Sequence, residues 1–347
     1  MSNHTVPPFS AGEGFTPSGL LQDIQKDENK VGAFKVRTAN DWLEIAKNQP
    51  NPVQLFGEFW FLNEVTILFS DTNTGKSVLA VQIAQSLATG NTIPGFPNEA
   101  EPMDVLYLDF ELSEKQFETR YSEDYTGHYR FGERFHRVTL DPDVEYNDSK
   151  GFEELLMSSL EEVILKCNAK VVIIDNLTYI KNETDKAKDA APLMRKLKEI
   201  KNKYDISILV LAHTPKLSEY REISLNDVTG SKALMNFADS AFAIGKSRVS
   251  PKTRYIKQIK VRSAEHRYGS TNVMVCELEK VKNFLQFTFK DFSDEQEHLA
   301  QRKDDDRAET IKKVKEMKAS GMSNVAIGKE LEIAESTVRK YLDIPNA

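Results

Sequence analysis

Val65-Thr-Ile-Leu-Phe69 is an apolar run, followed by a loop of small and polar residues and then by the helical pattern Val78-Leu-Ala-Val-Gln-Ile-Ala-Gln-Ser-Leu87. The first run predicts a strand and the later spacing predicts a helix. Backbone N–H groups of such a loop, together with the helix dipole, favour an anion at this point. The sequence therefore predicts a phosphate-binding loop made of Ser70, Asp71, Thr72, Asn73, Thr74, Gly75, Lys76, Ser77 and Val78.

The loop ends in Gly75-Lys76-Ser77, the last part of the pattern G-x-x-x-x-G-K-[ST]. In that pattern the lysine contacts the β- and γ-phosphates and the hydroxyl ligates Mg²⁺, so we expect Lys76 and Ser77 to bind ATP and Mg²⁺. Ser70 replaces the first glycine, and serine tolerates positive φ poorly. The loop must therefore begin with a backbone conformation that residues other than glycine adopt without strain. An ordinary strand–turn–helix with a surface lysine is the alternative.

The composition is that of a globular protein of one large domain and a small one. The 347 residues are 40% hydrophobic and 29% charged, without a run of about 18 apolar residues. The N-terminus lacks the basic and apolar regions of a secretory signal. Cys167 and Cys276 lack metal-site spacing and suit a reducing compartment. We expect a cytoplasmic protein without a membrane partner. Its net charge of −7 limits nucleic-acid contacts to local patches.

Strand and helix patterns alternate through the middle of the chain. Apolar strands bounded by helices predict an α/β fold with a mostly parallel sheet and helices on both faces. The predicted strands are Val65–Phe69, Val105–Phe110, Arg137–Leu140, Val171–Asp175 and Ile206–Ala212. The predicted helices lie near Lys76–Leu87, Glu114–Tyr121, Gly151–Lys166 and Ala187–Tyr204.

Later segments predict further strands and a change of domain. Four runs separated by short turns indicate antiparallel strands that extend the sheet: Ala241–Ile244, Tyr255–Arg262, Asn272–Glu277 and Phe284–Phe289. We predict a flexible N-terminal arm at 1–35, a large domain at 36–290, a charged linker at 291–306 and a small helical domain at 307–347.

Two carboxylates at strand ends extend the phosphate site. Asp175 ends a strand of apolar residues, the position beside the Mg²⁺ shell in nucleotide hydrolases, although many buried strands also end in Asp. Asp109 and Glu111 lie at the end of another predicted strand. Glu111 is the better candidate to polarise water, because it lies farther out at the tip. The alternative is that Glu111 only caps the next helix or places a charge in its first turn.

The order of Gly75-Lys76-Ser77, Glu111, Asp175 and then His213, directly after the strand Ile206–Ala212, resembles the RecA-fold ATPases. Among them it is most similar to the RepA-like and DnaB-like ring helicases. The resemblance covers roughly residues 36–289. It implies that Glu111 activates water and that His213, where many relatives carry Gln, senses the γ-phosphate. A histidine that only caps a strand is the alternative.

The same resemblance implies a homo-oligomeric ring, for example a hexamer. In it Lys260 and Arg262 would reach the γ-phosphate of the neighbouring subunit, where a cation stabilises developing charge. Surface cations on an exposed strand are the alternative for this pair. Two loops would face a central channel and contact single-stranded DNA. They are Thr178–Lys188, with Lys181, Lys186 and Lys188, and Pro215–Lys232, with Lys216, Arg221, Gly230, Ser231 and Lys232. Solvated loops are the alternative.

The segment from Gly321 to Leu342 resembles the helix-turn-helix of resolvases and invertases. Its predicted core residues are Ile327, Leu331, Ile333, Val338 and Tyr341, with Gly328 where two helices approach. Glu335, Ser336, Arg339 and Lys340 lie on the outward face of the second helix and would contact duplex DNA in the major groove. From Arg307 onward there are eight Lys or Arg and six Asp or Glu. A protein-interaction bundle is the alternative.

These observations predict an Mg²⁺-dependent ATPase that acts on DNA, as a RepA-like ring helicase in replication or mobilisation of a mobile element. Two alternatives stay open: a DNA-binding regulator switched by ATP without unwinding, and a recombination or repair ATPase.

Overall fold

The structure, a computed structural model, describes residues 30–141, 143–144, 149–176, 190–214, 217–228, 231–300 and 304–344. It divides into two units, Met1–Asn51 and Pro52–Ala347. Within these ranges no helix combines the length and the apolar character needed to cross a bilayer.

The first unit contains a small hairpin and one capped helix. Strands β1 (Lys30–Val31) and β2 (Phe34–Lys35) pair antiparallel, and helix α1 spans Ala39–Lys47. Thr38 Oγ1 accepts the Asp41 N–H at 3.2 Å and the Asp41 carboxylate accepts the Thr38 N–H at 3.3 Å, a capping box. Most of the predicted N-terminal arm, residues 1–29, lies outside the described residues.

The second unit is built on a nine-stranded sheet, counted over the described residues, in the order β15-β14-β13-β12-β5-β11-β10-β6-β9. Its strands are β5 (Val65–Ser70), β6 (Val105–Asp109), β9 (Phe135–Val138), β10 (Val171–Asp175), β11 (Ser207–His213), β12 (Ser240–Lys246), β13 (Thr253–Lys260), β14 (Val273–Val281) and β15 (Phe284–Ser293). Two small hairpins stand apart from it: β3 (Gln54–Phe56) with β4 (Trp60–Phe61), and β7 (Ser122–Glu123) with β8 (Gly127–His128).

Helices cover both faces of this sheet. They are α2 (Lys76–Thr89), α3 (Glu114–Arg120), α4 (Ser149–Cys167), α5 (Ala190–Tyr204) and α6 (Ser231–Phe237). Alternate residues of β5 enter different cores: Ile67 packs in the cluster that includes Leu160 of α4 and Leu197 of α5, whereas Leu68 packs with Leu79 of α2. The predicted α/β class, a RecA-like parallel sheet between helices with antiparallel strands at its end, is confirmed.

One strand direction differs from the prediction. The run at Ala241–Ile244 was expected to be antiparallel, but β12 runs parallel to β5, with Ser240 opposite Thr66. The reason is the short helix α6, which lies between β11 and β12 in the chain and allows the crossover that a parallel connection needs. On its other side β12 pairs antiparallel with β13, as predicted, and antiparallel pairing continues through β14 and β15.

The start of the predicted linker also differs. Residues 291–300 are part of the large fold, because β15 continues to Ser293 and a 3₁₀ turn follows at Glu295–His298. Glu295 is fully buried, where its carboxylate pairs with Lys257 Nζ and accepts the Ile223 N–H at 2.9 Å. The charged sequence predicted a solvent-exposed segment, but the charge of Glu295 is paired inside the protein. The acidic run at 304–306 begins a helix.

Residues 304–344 form three helices, α7 (Asp304–Ala319), α8 (Asn324–Glu330) and α9 (Glu335–Leu342). Their buried cluster consists of Val314, Ile327, Val338 and Tyr341. A Cβ on Gly328 would lie 2.8 Å from the Ile333 carbonyl oxygen, so the α8–α9 turn requires glycine there. Glu332 adopts φ +51° in this turn. The assignment of this segment to a DNA-binding domain stays a prediction.

Strand β15, at the end of the sheet, contacts helix α2 and the loop before it. Gln82 of α2 donates to the Phe287 carbonyl and accepts the Phe287 N–H, both at 2.9 Å. Gly75 has φ +104°, and a Cβ there would lie 2.9 Å from the Phe287 ring. Strand β15 therefore packs directly on the start of α2, and only glycine fits at the contact.

Candidate functional site

The predicted site residues meet at the carboxyl-terminal edge of the parallel strands. Ser70 at the end of β5 lies opposite His213 of β11, and Asp175 of β10 lies opposite Asp109 of β6. Ligands of open α/β sheets bind outside this edge of the strands. The fold therefore gathers side chains that lie more than 100 residues apart in the chain.

The loop from Ser70 to Gly75 is held by its own side chains. Ser70 and Thr74 hydroxyls contact each other, and Thr74 Oγ1 donates to the Asp71 carbonyl at 2.8 Å. The left-handed positions are Asn73, with φ +57°, and Gly75. Ser70 completes strand β5, so serine in place of the first glycine needs no positive φ.

Lys76 begins helix α2 and folds back over the loop. Its side chain is buried, and Nζ donates to the carbonyls of Ser70 at 3.0 Å and Asp71 at 3.1 Å. Burial lowers the pKa of this ammonium to about 8, although nearby Asp175 and Glu111 act in the opposite direction. The buried cation and the N–H groups of the first helical turn form a site for an anion.

Asp175 is a buried carboxylate beside Ser77. Tyr107 Oη donates to Asp175 Oδ2 at 2.6 Å, and the Ser77 side chain also hydrogen-bonds to this carboxylate. Burial raises the pKa of Asp175 to about 6, and these hydrogen bonds oppose the rise. Sequence reasoning missed Tyr107, which lies on the neighbouring strand β6.

The Ser77 hydroxyl and the Asp175 carboxylate are the oxygen donors that Mg²⁺ prefers. No group of three His, Cys, Asp or Glu side chains within the described ranges could hold a metal ion by itself. A Mg²⁺ at Ser77 and Asp175 would thus take its other ligands from phosphate oxygens and water, which is the usual way this ion is bound.

Asp109 and Glu111 have different surroundings. Asp109 is buried, pairs with Arg137 Nε at 2.9 Å and accepts the Glu111 N–H at 3.2 Å. These contacts stabilise the end of strand β6. The Glu111 carboxylate is partly exposed and contacts Asn176 Nδ2 and, at 3.4 Å, His213 Nε2. The hydrogen bond with His213 lowers the pKa of Glu111 and keeps it ionised, as a base requires.

Asn176 is a site residue that sequence reasoning missed. Its Nδ2 lies 2.9 Å from His213 Nε2 while it also contacts Glu111. The Asn176 side chain thus links the water-activating candidate Glu111 to the sensor candidate His213, and Asn176 directly follows the metal-shell candidate Asp175 in the chain. Beyond this link, His213 Nδ1 and Thr214 Oγ1 are buried without a hydrogen-bond partner among the described residues.

Lys260 and Arg262 do not approach the phosphate loop of their own chain. Lys260 lies opposite Ala241, near the start of β12 and thus at the other end of the parallel strands. Its Nζ donates to the Met235 and Ala238 carbonyls, each at 2.7 Å. Arg262 pairs with Asp239 at 2.5 Å. A contact with a neighbouring subunit's phosphate stays a prediction.

Only part of the predicted DNA-facing loops is described. Thr178–Lys188, Lys216 and Gly230 lie outside the described residues, and Ser231 and Lys232 begin α6. Arg221 Nη1 donates to Asp227 at 3.0 Å, so its charge is already paired with a carboxylate.

The predicted duplex-binding residues share helix α9. Ser336, Arg339 and Lys340 are exposed, and Arg339 pairs with the half-buried Glu335 at 2.6 Å. An exposed helix with two basic side chains is compatible with groove binding, and the contact itself is untested.

The fold and the site together place the chain in the class of P-loop nucleotide-binding proteins. A family model described as AAA domain matches residues 33–219, more than half of the chain. The chain belongs to this AAA domain family and is an ATPase of the P-loop type. The match includes the phosphate loop, Glu111, Asp175 and His213, and ends before Lys260 and Arg262. A comparison with curated proteins gives no match.

The lowered pKa of Lys76 predicts that nucleotide affinity depends on pH. Below pH 8 the ammonium is charged and pairs with phosphate, whereas above it the protein without nucleotide must first take up a proton. We expect the dissociation constant for ATP to rise about tenfold between pH 8.5 and 9.5. Fluorescence titrations of labelled ATP from pH 7 to 9.5 measure it. Lys76→Arg, which stays charged, is the control and should give a flat profile. A flat profile for the unmodified protein contradicts the assignment.

Proposed function

We propose that the protein hydrolyses ATP with Mg²⁺ and couples hydrolysis to action on DNA, as a RepA-like ring helicase of a mobile element. The observation that carries the proposal is the meeting of Lys76, the Ser77–Asp175 pair and the Glu111–Asn176–His213 cluster at one edge of the sheet. An anion site, a metal site and a base next to each other are what phosphoryl transfer to water requires.

Each group has a separate task. Lys76 and the N–H groups at the start of α2 bind the phosphates and balance their charge. A Mg²⁺ ion held by Ser77 and Asp175 would neutralise charge on the phosphate oxygens. Glu111, partly exposed and ionised, orients a water molecule and accepts its proton. Hydrolysis thus needs the base and the phosphate site in fixed relation, which the paired strands provide.

The Glu111–Asn176–His213 cluster offers a route from hydrolysis to the rest of the molecule. His213 ends β11, and the chain continues from it into the loop before α6. Because Asn176 contacts both Glu111 and His213, a change at the γ-phosphate position would be transmitted to the loops after β10 and β11. These are the loops that the resemblance assigns to single-stranded DNA.

The positions of Lys260 and Arg262 support an oligomeric ring as part of this proposal. Both lie at the end of the parallel strands opposite the phosphate loop, so within one chain they cannot serve its nucleotide. A second copy could bring its phosphate loop to them, which would complete the site between subunits. The three helices α7–α9 would then hold the ring at a duplex site.

The test of this function is a glutamine at position 111. Glu111→Gln removes the base and keeps the size of the side chain, so the ATPase rate should fall about 10²- to 10⁴-fold. The affinity for ATP should stay within a few-fold of the unmodified value. Glu114→Gln is the matched control, because Glu114 is an exposed residue of the first turn of α3. Turnover at the unmodified rate in Glu111→Gln rejects the assignment of the base.

The same assays separate the proposed helicase from its rivals. We expect single-stranded DNA to stimulate the unmodified protein and strand displacement to require ATP. Stimulated hydrolysis without displacement would favour a regulator or a recombination or repair ATPase.

The duplex contact is tested by removing both cations of helix α9. Arg339→Ala together with Lys340→Ala should weaken duplex binding and lower the slope of log affinity against log salt by about 0.9 for each phosphate that the variant can no longer neutralise. Basal ATPase activity should not change. Lys312→Ala, an exposed charge on α7, is the control for the removal of charge alone. Unchanged duplex affinity in the double variant rejects α9 as the contact helix.

A further inference from the structure

Arg254 of β13 is buried against the phosphate loop. It is only 8% exposed, and it lies directly opposite Lys246 of β12. Its Nε donates to the Thr74 carbonyl at 3.1 Å, and its Nη1 donates to the Pro251 and Thr253 carbonyls, each at 2.8 Å. This arginine therefore ties the β12–β13 hairpin to the residue that precedes Gly75.

The bond to Thr74 fixes the direction of the next N–H group. The Thr74–Gly75 peptide is trans, so its carbonyl and its N–H point in opposite directions. Because Arg254 holds the carbonyl on the side of the β12–β13 hairpin, the Gly75 N–H is directed away from that hairpin. The flexible backbone of glycine does not choose this orientation by itself.

The charge of Arg254 is the second feature. Among the described residues its hydrogen-bond partners are three backbone carbonyls, and no carboxylate lies within ion-pair distance. Burial lowers the pKa of the guanidinium below its usual range. A buried cation without a counter-charge is costly, and an anion bound in the loop would compensate it. The neighbouring Lys246, in contrast, already pairs with Asp71 at 3.5 Å.

We propose that Arg254 is a positioning residue for the nucleotide: it turns the Gly75 N–H toward the phosphates and adds positive charge behind the loop. The proposal rests on the nucleotide site proposed above and assigns a role to a residue beyond the family match at 33–219. It also means that the antiparallel end of the sheet contributes to phosphate binding within one chain.

The test compares nucleotide affinities of three variants. Arg254→Met removes both donors and charge, and the dissociation constant for ATP should rise about tenfold or more. Arg254→Lys keeps one charged donor, so its dissociation constant for ATP should lie between the values of Arg254→Met and the unmodified protein. Lys252→Met removes a charge from an exposed position of the same hairpin and should bind as the unmodified protein does. Thermal unfolding without nucleotide establishes that each variant is folded.

A merely structural arginine would lower the unfolding temperature and leave the affinity of the folded protein unchanged. Unmodified affinity in Arg254→Met overturns the proposal, as does an equal loss in Lys252→Met. If Arg254→Met does not fold, Arg254→Lys decides by the same criterion. Failure of the unmodified protein to bind ATP would instead reject the nucleotide site itself, so the two failures are distinguishable.

Discussion

The site depends on four parallel strands that end close to one level. Strand pairing places Ser70 opposite His213 and Asp175 opposite Asp109, which brings the loop, the metal-shell candidate and the sensor candidate together. A shift of one strand by a single residue would turn the side chains at its end to the other face of the sheet. The correct strand register, which the fully buried apolar strands enforce, is therefore required for the chemistry of the site.

Burial of charge is the second common theme. Lys76, Asp175 and Arg254 are all removed from solvent, and burial shifts the pKa of each toward its neutral form. Such groups are costly in the protein alone, because their hydrogen bonds compensate only part of the lost hydration. A phosphate chain with a divalent cation would supply complementary charge to all three. Binding such a ligand would therefore offset the free-energy cost of these buried charges.

The sequence alone predicted much of the fold and the loop, because the signals are local. Phosphate-loop residues are contiguous, and apolar strands that end in carboxylates are visible without any structure. Asp109 and Glu111 have similar positions at the end of one strand, yet Arg137 neutralises one while the other stays accessible. That difference needs a partner from another strand, which the pattern does not contain.

The missed residues share this cause. Tyr107 contacts Asp175 across 68 positions, and Arg254 contacts Thr74 across 180. Neither belongs to a motif: Tyr107 contacts Asp175 from the neighbouring strand, and Arg254 contacts the loop residue Thr74 from β13. Glu295 was assigned to a linker because its charge suggested solvent, whereas Lys257 pairs with it in the interior. The parallel pairing of β12 with β5 was missed because the short helix α6 was not recognised as a crossover.

The most direct measurement is an experimental structure with Mg²⁺ and a non-hydrolysable ATP analogue. We expect the β-phosphate on the N–H groups of Gly75 and Lys76, with the γ-phosphate between Lys76 Nζ and the Glu111 carboxylate. We also expect Arg254 to keep its bond to the Thr74 carbonyl. Nucleotide bound elsewhere, or Glu111 directed away from the γ-phosphate, would contradict the assignment of the site.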